Sequence, residues 1–400
     1  MGRTFGGCYA PQLYVPRYDA DGQYAGVESP PGLPSRIRPA RLARAPEQAA
    51  HSQLFSPAAE FANMFVVELG RGCSRSCRFC AAGFVYRPPR LWSAASVLAA
   101  LDERPASINR VGLLGMEMAA PPDLEVIAQE LTAASCRLSF SSLRADAISP
   151  QLLELISQGQ GKSAAIAPDG GSERLRRVIN KNLSEADLLS AAEGLVRSGV
   201  RTLKLYFMIG LPTEEMEDIE ELVRLTRKIK SSILDLGRSR GRMSNLVLSI
   251  NSFVPKPWTP FQWHPMASVS VLQERLAVIR KRLASVGNVK VNADQPATAY
   301  FQAFLARGDR RVGKALLGLS ASGRDWRRVY REQELRPEEY VERLRDRKEP
   351  FPWDIIDHGI TRDYLWAEYQ RGLAGKLTAA CDVSACKRCG VCLEGQRHEQ

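Results

Sequence analysis

Three cysteines in the chain's first fifth have the types and spacing to do chemistry. Cys73, Cys77 and Cys80 sit in Leu69-Gly70-Arg71-Gly72-Cys73-Ser74-Arg75-Ser76-Cys77-Arg78-Phe79-Cys80, a Cys-x3-Cys-x2-Cys run that directly follows an apolar, strand-like stretch. Three thiolates this close suit three corners of one iron–sulfur cube. Three ligands for four irons leave one iron open to a small molecule, and an open coordination position is what separates a catalytic metal site from a structural one. The flanking glycines let the loop wrap the metal. Zinc with a remote fourth ligand is the alternative. Arg71, Arg75 and Arg78 either favour a negatively charged cluster or are solvated loop arginines.

A second group lies near the other end. Cys381, Cys386, Cys389 and Cys392 read Cys-x4-Cys-x2-Cys-x2-Cys. Four thiolates in so short a span predict a metal, either an auxiliary iron–sulfur cluster or zinc. A cluster there would relay electrons or anchor substrate; zinc would fix the tail or help bind a partner. Of the nine cysteines only Cys8 and Cys136 fall outside the two groups. An odd total clustered in this way argues for metal ligation and against a disulfide framework. Cys136 opens an apolar stretch and reads as a buried thiol.

The elements that must position these groups follow a regular pattern. Strand-like runs are expected at 64–69, 111–114, 138–140, 164–167, 203–209 and 246–250, with an edge strand at 289–291. Amphipathic helices are expected between them at 123–134, 151–156 and 214–229, and Ser184 with Asp187 forms a capping box for a helix through Val196. Strands alternating with helices imply a parallel sheet. The fold expected is α/β, a partial (β/α)6 TIM-type barrel, with a doubly wound open sheet as the alternative. Sites in such barrels lie at the carboxyl ends of strands, where the first cysteine loop falls. Residues 1–60, rich in Pro, Gly and Arg, read as an N-terminal extended arm. Residues 61–295 form the barrel, 296–375 a basic helical extension with a returning helix at 362–373, and 376–400 the cysteine-rich tail.

The first motif, with Phe79 just before its third cysteine, resembles the radical S-adenosylmethionine superfamily. The resemblance implies a [4Fe-4S] cluster whose open iron binds S-adenosylmethionine. Reductive cleavage of that molecule to a 5′-deoxyadenosyl radical then abstracts hydrogen from a substrate. An electron donor such as flavodoxin or ferredoxin is implied too. Further motifs match residue by residue. Gly115-Met116-Glu117 stands where the family has a Gly-Gly-Glu-like turn near the substrate amino group, which implies cofactor-binding roles for Gly115 and Glu117, with Met116 departing from that pattern. Asp169 and Ser172, in Ala167-Pro168-Asp169-Gly170-Gly171-Ser172-Glu173, match a polar turn that contacts ribose and methionine. Lys181 stands where relatives carry a cation for the carboxylate, and Met208-Ile209-Gly210-Leu211-Pro212 matches the turn beside adenine. For Ser172 the alternative is helix capping, and for Lys181 a surface charge. Phe84-Val85-Tyr86-Arg87-Pro88-Pro89-Arg90, the run from Phe253 to Trp263 and the tail resemble a cobalamin-associated subgroup. The resemblance implies a cobalamin-binding domain ahead of the barrel, and none is expected within residues 1–60, so either this is a shortened member or cobalamin for a methyl transfer would come from a separate cobalamin-binding protein. The aromatic run at 253–263 either walls the substrate cavity or caps the core.

Composition bounds the rest. The chain has 400 residues, 44% of them hydrophobic, with 55 Lys and Arg against 44 Asp and Glu, a formal charge of +11. That is an ordinary globular make-up with room for one large and one smaller domain. No apolar run approaches the roughly 20 residues that span a membrane, and a cytoplasmic protein is expected. The positive surplus permits an anionic partner. RNA modification by the same chemistry, with the basic helical region gripping phosphates, is the second reading. A non-catalytic metal-stabilised binding module is the third, which the open three-cysteine loop argues against.

Overall fold

The computed structural model describes the chain apart from residues 1–6, 41–46, 116–120, 160–161, 240–242, 323–324 and 395–400. Seven parallel strands follow one another in chain order: β1 (Phe65–Glu68), β2 (Arg110–Leu114), β3 (Arg137–Phe140), β4 (Ser163–Asp169), β5 (Thr202–Ile209), β6 (Asn245–Ser252) and β7 (Val289–Ala293). Helices alternate with them: α1 (Ala94–Leu101), α2 (Pro121–Ala133), α3 (Pro150–Gln158), α4 (Glu185–Arg197), α5 (Met216–Ser239) and α6 (Val269–Leu283). Strands β1 to β3 form one sheet and β4 to β7 another. A parallel bridge from Leu143 to Ile166 joins the two, with the Leu143 N–H donating to the Ala165 carbonyl at 2.7 Å. No pairing between β1 and β7 is recorded among the described residues, so the sheet curves as a partial barrel.

Alternation explains how the strands bury. On β5 Leu203, Leu205, Phe207 and Ile209 are buried, while Lys204, Tyr206 and Met208 between them are half-buried. On β6 Leu246, Leu248 and Ile250 are buried and Val247, Ser249 and Asn251 are not. A period of two sends the apolar set to one face. That set packs with Ile219, Leu222 and Leu225 of α5 and Leu272, Leu276 and Ile279 of α6 in the main core. The opposite face is therefore the barrel interior, and register sets Tyr206 beside Ser249 and Met208 beside Asn251. Ser184 caps α4 through the reciprocal box with Asp187.

The N-terminal arm is more structured than expected. Val15–Tyr18 and Tyr24–Glu28 pair as an antiparallel hairpin. Residues 50–52 run antiparallel along β1, with a bridge from His51 to Val67 and the Glu68 N–H donating to the Ala50 carbonyl at 2.8 Å. The arm thus covers an edge strand that would otherwise expose unpaired backbone. Beyond β7 come α7 (Pro296–Arg307), α8 (Arg310–Ser322), α9 (Trp326–Glu332), α10 (Pro337–Val341) and α11 (Arg362–Leu373). Arg311 lies over the Tyr18 ring at 4.0 Å, and Arg310 donates to the Tyr14 carbonyl and the Tyr9 hydroxyl.

Above the carboxyl ends of the strands sits a second apolar cluster. Phe84, Leu175, Val178, Leu211, Phe253, Phe261, Trp263, Phe351, Trp353, Leu365 and Tyr369 are all buried in it. The aromatic run at 253–263 therefore caps a core under α11, and Trp263 is fully buried there. No helix among the described residues is long and apolar enough to cross a membrane.

Candidate active site

Where β1 ends, Gly70–Arg71 pairs antiparallel with Arg90–Leu91, so the cysteine loop leaves and returns through one short ribbon. Gly72 has φ +87°, and a Cβ there would lie 2.6 Å from the Tyr86 carbonyl oxygen. Only glycine fits that approach. Ser76 also takes a left-handed turn, with φ +58°. The Cys80 N–H donates to the Cys77 carbonyl at 3.0 Å, drawing the last two cysteines into one turn.

Asn180 locks this loop to the segment after β4. It is buried and left-handed, and its amide donates to the carbonyls of Arg75 at 3.1 Å, Ser76 at 3.3 Å and Thr378 at 3.1 Å. Its Oδ1 accepts from the Thr378 N–H at 2.9 Å, and its carbonyl faces the Cys77 thiol at 3.9 Å. Arg78 is a second lock. It is fully buried, neither a solvated loop arginine nor an exposed charge. Its guanidinium pairs with Glu368 of α11 at 3.2 Å and donates to the carbonyls of Val178 at 2.9 Å and Lys376 at 2.7 Å. Gly372 lets α11 lie close, since a Cβ there would meet the Arg78 Cδ at 2.8 Å and Phe261 at 3.0 Å.

Cys77 is buried, and burial pushes its thiol up, opposed by the nearby Lys181 and Arg144 charges. Lys181 Nζ lies 2.7 Å from Asp169 Oδ2, both side chains being largely buried. Burial disfavours the ammonium, but Asp169 and the Cys77 thiol outweigh it and the Lys181 pKa is raised. Asp169, Lys181 and Cys77 thus stand together at the carboxyl end of the barrel. Arg144 donates to the Lys181 carbonyl and pairs with Asp146 at 2.7 Å, adding a second cation.

The other expected residues divide. Phe79 and Met208 are both half-buried against the second apolar cluster. Gly210 follows β5 with φ +78°, and its N–H donates to Glu214 Oε1 at 2.7 Å. Glu214, which pattern reading did not single out, is paired with Arg275 at 2.7 Å. Burial pushes its carboxyl up to about 7 even so. The Gly115 carbonyl accepts from the Ser141 hydroxyl at 2.9 Å, tying the ends of β2 and β3 together. Glu117 lies outside the described residues. Ser172 takes the capping role: its oxygen accepts from the Leu175 N–H at 3.1 Å and its hydroxyl donates to Asp218. The polar interior face was also missed. Lys204, Tyr206, Ser249, Asn251 and Asn292 share it by register, and the strict alternation of β5 carried that signal within an apparently apolar run.

The tail approaches the same loop from outside. The Cys381 N–H donates to the Ser74 carbonyl at 2.8 Å. Cys389 is buried, and Cys381, Cys386 and Cys392 are partly exposed. Among the described residues no three His, Cys, Asp or Glu side chains converge closely enough to hold a single metal ion. The thiols of a cube stand wider apart than the ligands of one ion.

Residues 67–226 match the sequence profile of the Radical SAM superfamily. Those residues therefore carry a radical SAM domain. The uncharacterized protein MJ0966 of Methanocaldococcus jannaschii is 33% identical over 268 residues, which cover 66% of this chain and 57% of that protein. The chain thus spans little more than half the length of this relative. Among solved structures, the radical S-adenosylmethionine methyltransferase TsrM of Kitasatospora setae, with cobalamin and a [4Fe-4S] cluster bound, has 12% identity and a TM-score of 0.40, covering 67% of this chain and 59% of its own. The coproporphyrinogen III oxidase HemN of Escherichia coli has 13% identity and a TM-score of 0.39, covering 54% and 52%.

A radical SAM domain implies a [4Fe-4S] cluster and S-adenosylmethionine. The donor set fits. Three cysteine thiols on one loop are a soft donor set of the kind that iron–sulfur clusters take. They lie on a glycine-hinged loop with the Lys181 and Arg144 cations beside them.

Proposed function

We propose that the protein is a radical S-adenosylmethionine enzyme in which Cys73, Cys77 and Cys80 hold the catalytic [4Fe-4S] cluster. When bound, that cluster supplies the electron that cleaves S-adenosylmethionine to a 5′-deoxyadenosyl radical. The observation carrying this reading is the convergence of the loop after β1, through Cys77, with the Asp169–Lys181 pair after β4. The chain's own residues do the binding and aiming. Lys181, held by Asp169, offers a cation for the carboxylate of S-adenosylmethionine, since a buried carboxylate needs a paired charge. The Gly210 turn, held by Glu214, presents backbone to the adenine, and Phe79 and Met208 add apolar surface. The apolar cluster above the strands excludes water. The polar interior face formed by Lys204, Tyr206, Ser249 and Asn251 makes a bed for a polar substrate.

The four tail cysteines form a second metal site. Part of the charge of the basic helical extension serves the fold, while Arg327, Arg328, Arg331 and Arg336 are exposed. Arg311 pairs with Asp309 and Arg343 with Glu349, and Arg307 and Arg345 are buried.

Anaerobic reconstitution tests the proposal. Wild type with dithionite should release 5′-deoxyadenosine and methionine from S-adenosylmethionine, and Cys77→Ala should release none. An intact cluster in wild type with no cleavage under strong reductant would reject it.

A further inference from the structure

We propose that the recess between the N-terminal hairpin and the helical extension is a second ligand site, which takes the phosphoryl group of a small molecule. The proposal is independent of the chemistry at the cysteine loop.

The recess has a volume of about 920 Å³, within the range of roughly 300–1,000 Å³ usual for small-molecule pockets. Gly22 and Tyr24 of the hairpin form one wall, and residues from 307–311 and 331–349 form the rest. Its arginines are knit together through the backbone. Arg307 donates to the Tyr340 carbonyl at 2.6 Å, and Arg345 donates to the Arg307 carbonyl at 3.0 Å. Arg311 reaches across to the Gly22 carbonyl at 2.9 Å and fixes the hairpin wall.

The charges around this recess do not cancel. Arg311 takes Asp309 at 2.7 Å, and both Nη atoms of Arg343 take Glu349, at 2.8 and 2.7 Å. Arg307 and Arg345 remain, only 1% and 5% exposed. Arg307 spends its N–H groups on carbonyls and has no ion pair among the described residues. Arg345 stands 3.9 Å from Glu349, which Arg343 already holds. The Nε atoms of Arg343 and Arg345 have no hydrogen-bond partner among the described residues. Burial, and then the Arg345 charge, push the Arg307 pKa well below its usual range, and burial pushes that of Arg345 down to about 10 although Glu349 opposes it. Two buried guanidinium charges without a carboxylate of their own call for a counter-ion. A phosphate monoester carries about two negative charges at pH 7, so it matches that surplus in number as well as in sign.

The rim supplies the hydrogen bonds. Arg331 and Arg336 line it, are exposed, and have no ion pair among the described residues. Their forked donors can close on phosphate oxygens. Asp21, Glu334 and Glu339 share the rim, but solvent screens charge there far more than at the buried floor. A small molecule enters such a recess, whereas a nucleic-acid backbone would stay at its rim.

The test titrates the full chain, reconstituted anaerobically, with inorganic phosphate and with glycerol 3-phosphate at constant ionic strength. Calorimetry compares wild type, Arg331→Ala, Arg336→Ala, Arg345→Met and Arg327→Ala. Arg327 is exposed on the same extension but does not line the recess, so its loss controls for net charge alone. Wild type should bind at least one of the two with a Kd below about 1 mM, and saturation should raise Tm by about 3 °C. Arg331→Ala and Arg336→Ala should each weaken binding about tenfold. Arg345→Met should abolish it, and Arg327→Ala should leave it unchanged. Tighter binding of glycerol 3-phosphate supports an organic phosphate as the ligand, and equal binding supports the free ion. No binding of either overturns the proposal. So does an equal loss in Arg327→Ala and Arg331→Ala, which would mean diffuse attraction, and so does retention of a short RNA by a chain that binds neither phosphate. Should Arg345→Met fail to fold, the two rim variants decide.

Discussion

Arg78→Ala isolates what holds the catalytic loop in place. The side chain is fully buried between two cysteines of that loop. Its Nε and Nη2 both meet Glu368 Oε2, at 3.3 and 3.2 Å, and further bonds go to the carbonyls of Arg177, Val178 and Lys376 and to the Thr378 hydroxyl. Truncation leaves Glu368, whose side chain is 4% exposed, without its main cation. Breaking a buried pair from one side costs about 3–5 kcal/mol. Arg371, 3.6 Å from Glu368, and the Thr378 hydroxyl remain to soften the loss. The orphaned carbonyls work the other way, at about 1 kcal/mol each where water cannot reach. The expected loss is therefore about 4 kcal/mol, roughly a thousandfold in the folded-to-unfolded ratio. Equilibrium urea unfolding of the metal-free chain measures it. Arg78→Met with Glu368→Gln should recover about half, because the double change removes the stranded charge. A loss under about 1 kcal/mol for Arg78→Ala would refute the reasoning, since it would mean that water or another cation reaches Glu368 freely.

Three further outcomes are expected. His264 is held neutral, its pKa lowered to about 4 by burial and then by Arg307, with the ring bonded to the Tyr369 hydroxyl at 3.0 Å. The unfolded chain binds that proton near pH 6.5, so this contribution is complete above 6.5 and lost as pH falls toward 4. The full loss is about 3 kcal/mol, and urea midpoints for wild type and His264→Gln should converge over that window. Gly171→Ala drives a Cβ to 2.4 Å from the Asp218 carbonyl and 2.8 Å from Leu222, so α5 must shift; a fall of about 2 kcal/mol or more in thermal or urea unfolding is expected, and a neutral result would show that the contact relaxes. Asn180→Ala removes the bonds that join the Cys73–Cys80 loop to Thr378. Iron should dissociate from it under chelator faster than from wild type, and equal rates would deny Asn180 its positioning role.

Much of the scaffold was legible because local signals agreed with the global fold. The apolar runs bounded by turn residues became β1 to β7 in order, with ends moved by a residue or two. The helix at 362–373 appears as read. The capping box at Ser184 formed because a hydroxyl and a carboxylate three residues apart satisfy each other's backbone donors. The arm hairpin was hidden. Its first strand contains Pro16 and its second Gly26 at φ +125°, both residues that read as strand breakers, and its stability comes from arginines some 290 positions away.

The site divides along the same line. Thiol spacing is local chemistry, so the two metal groups could be read from the chain alone. Their junction could not, because it depends on where α11 comes to rest. Gly372 is decisive there, since a side chain of any size would push the helix off Arg78 and Phe261. Arg78 shows the limit most sharply. In the sequence it is one of three loop arginines with equal claim to face the cluster. In the fold, Arg71 pairs with the neighbouring Glu68 at 3.0 Å at the surface, while Arg78 turns inward to a glutamate 290 residues later. Residue type fixes what each could bind, and only the arrival of Glu368, Lys376 and Thr378 decides which of them staples the loop. A chain with this cysteine spacing but an alanine at 78 would keep the motif and lose the buried cation that joins its loop to the tail.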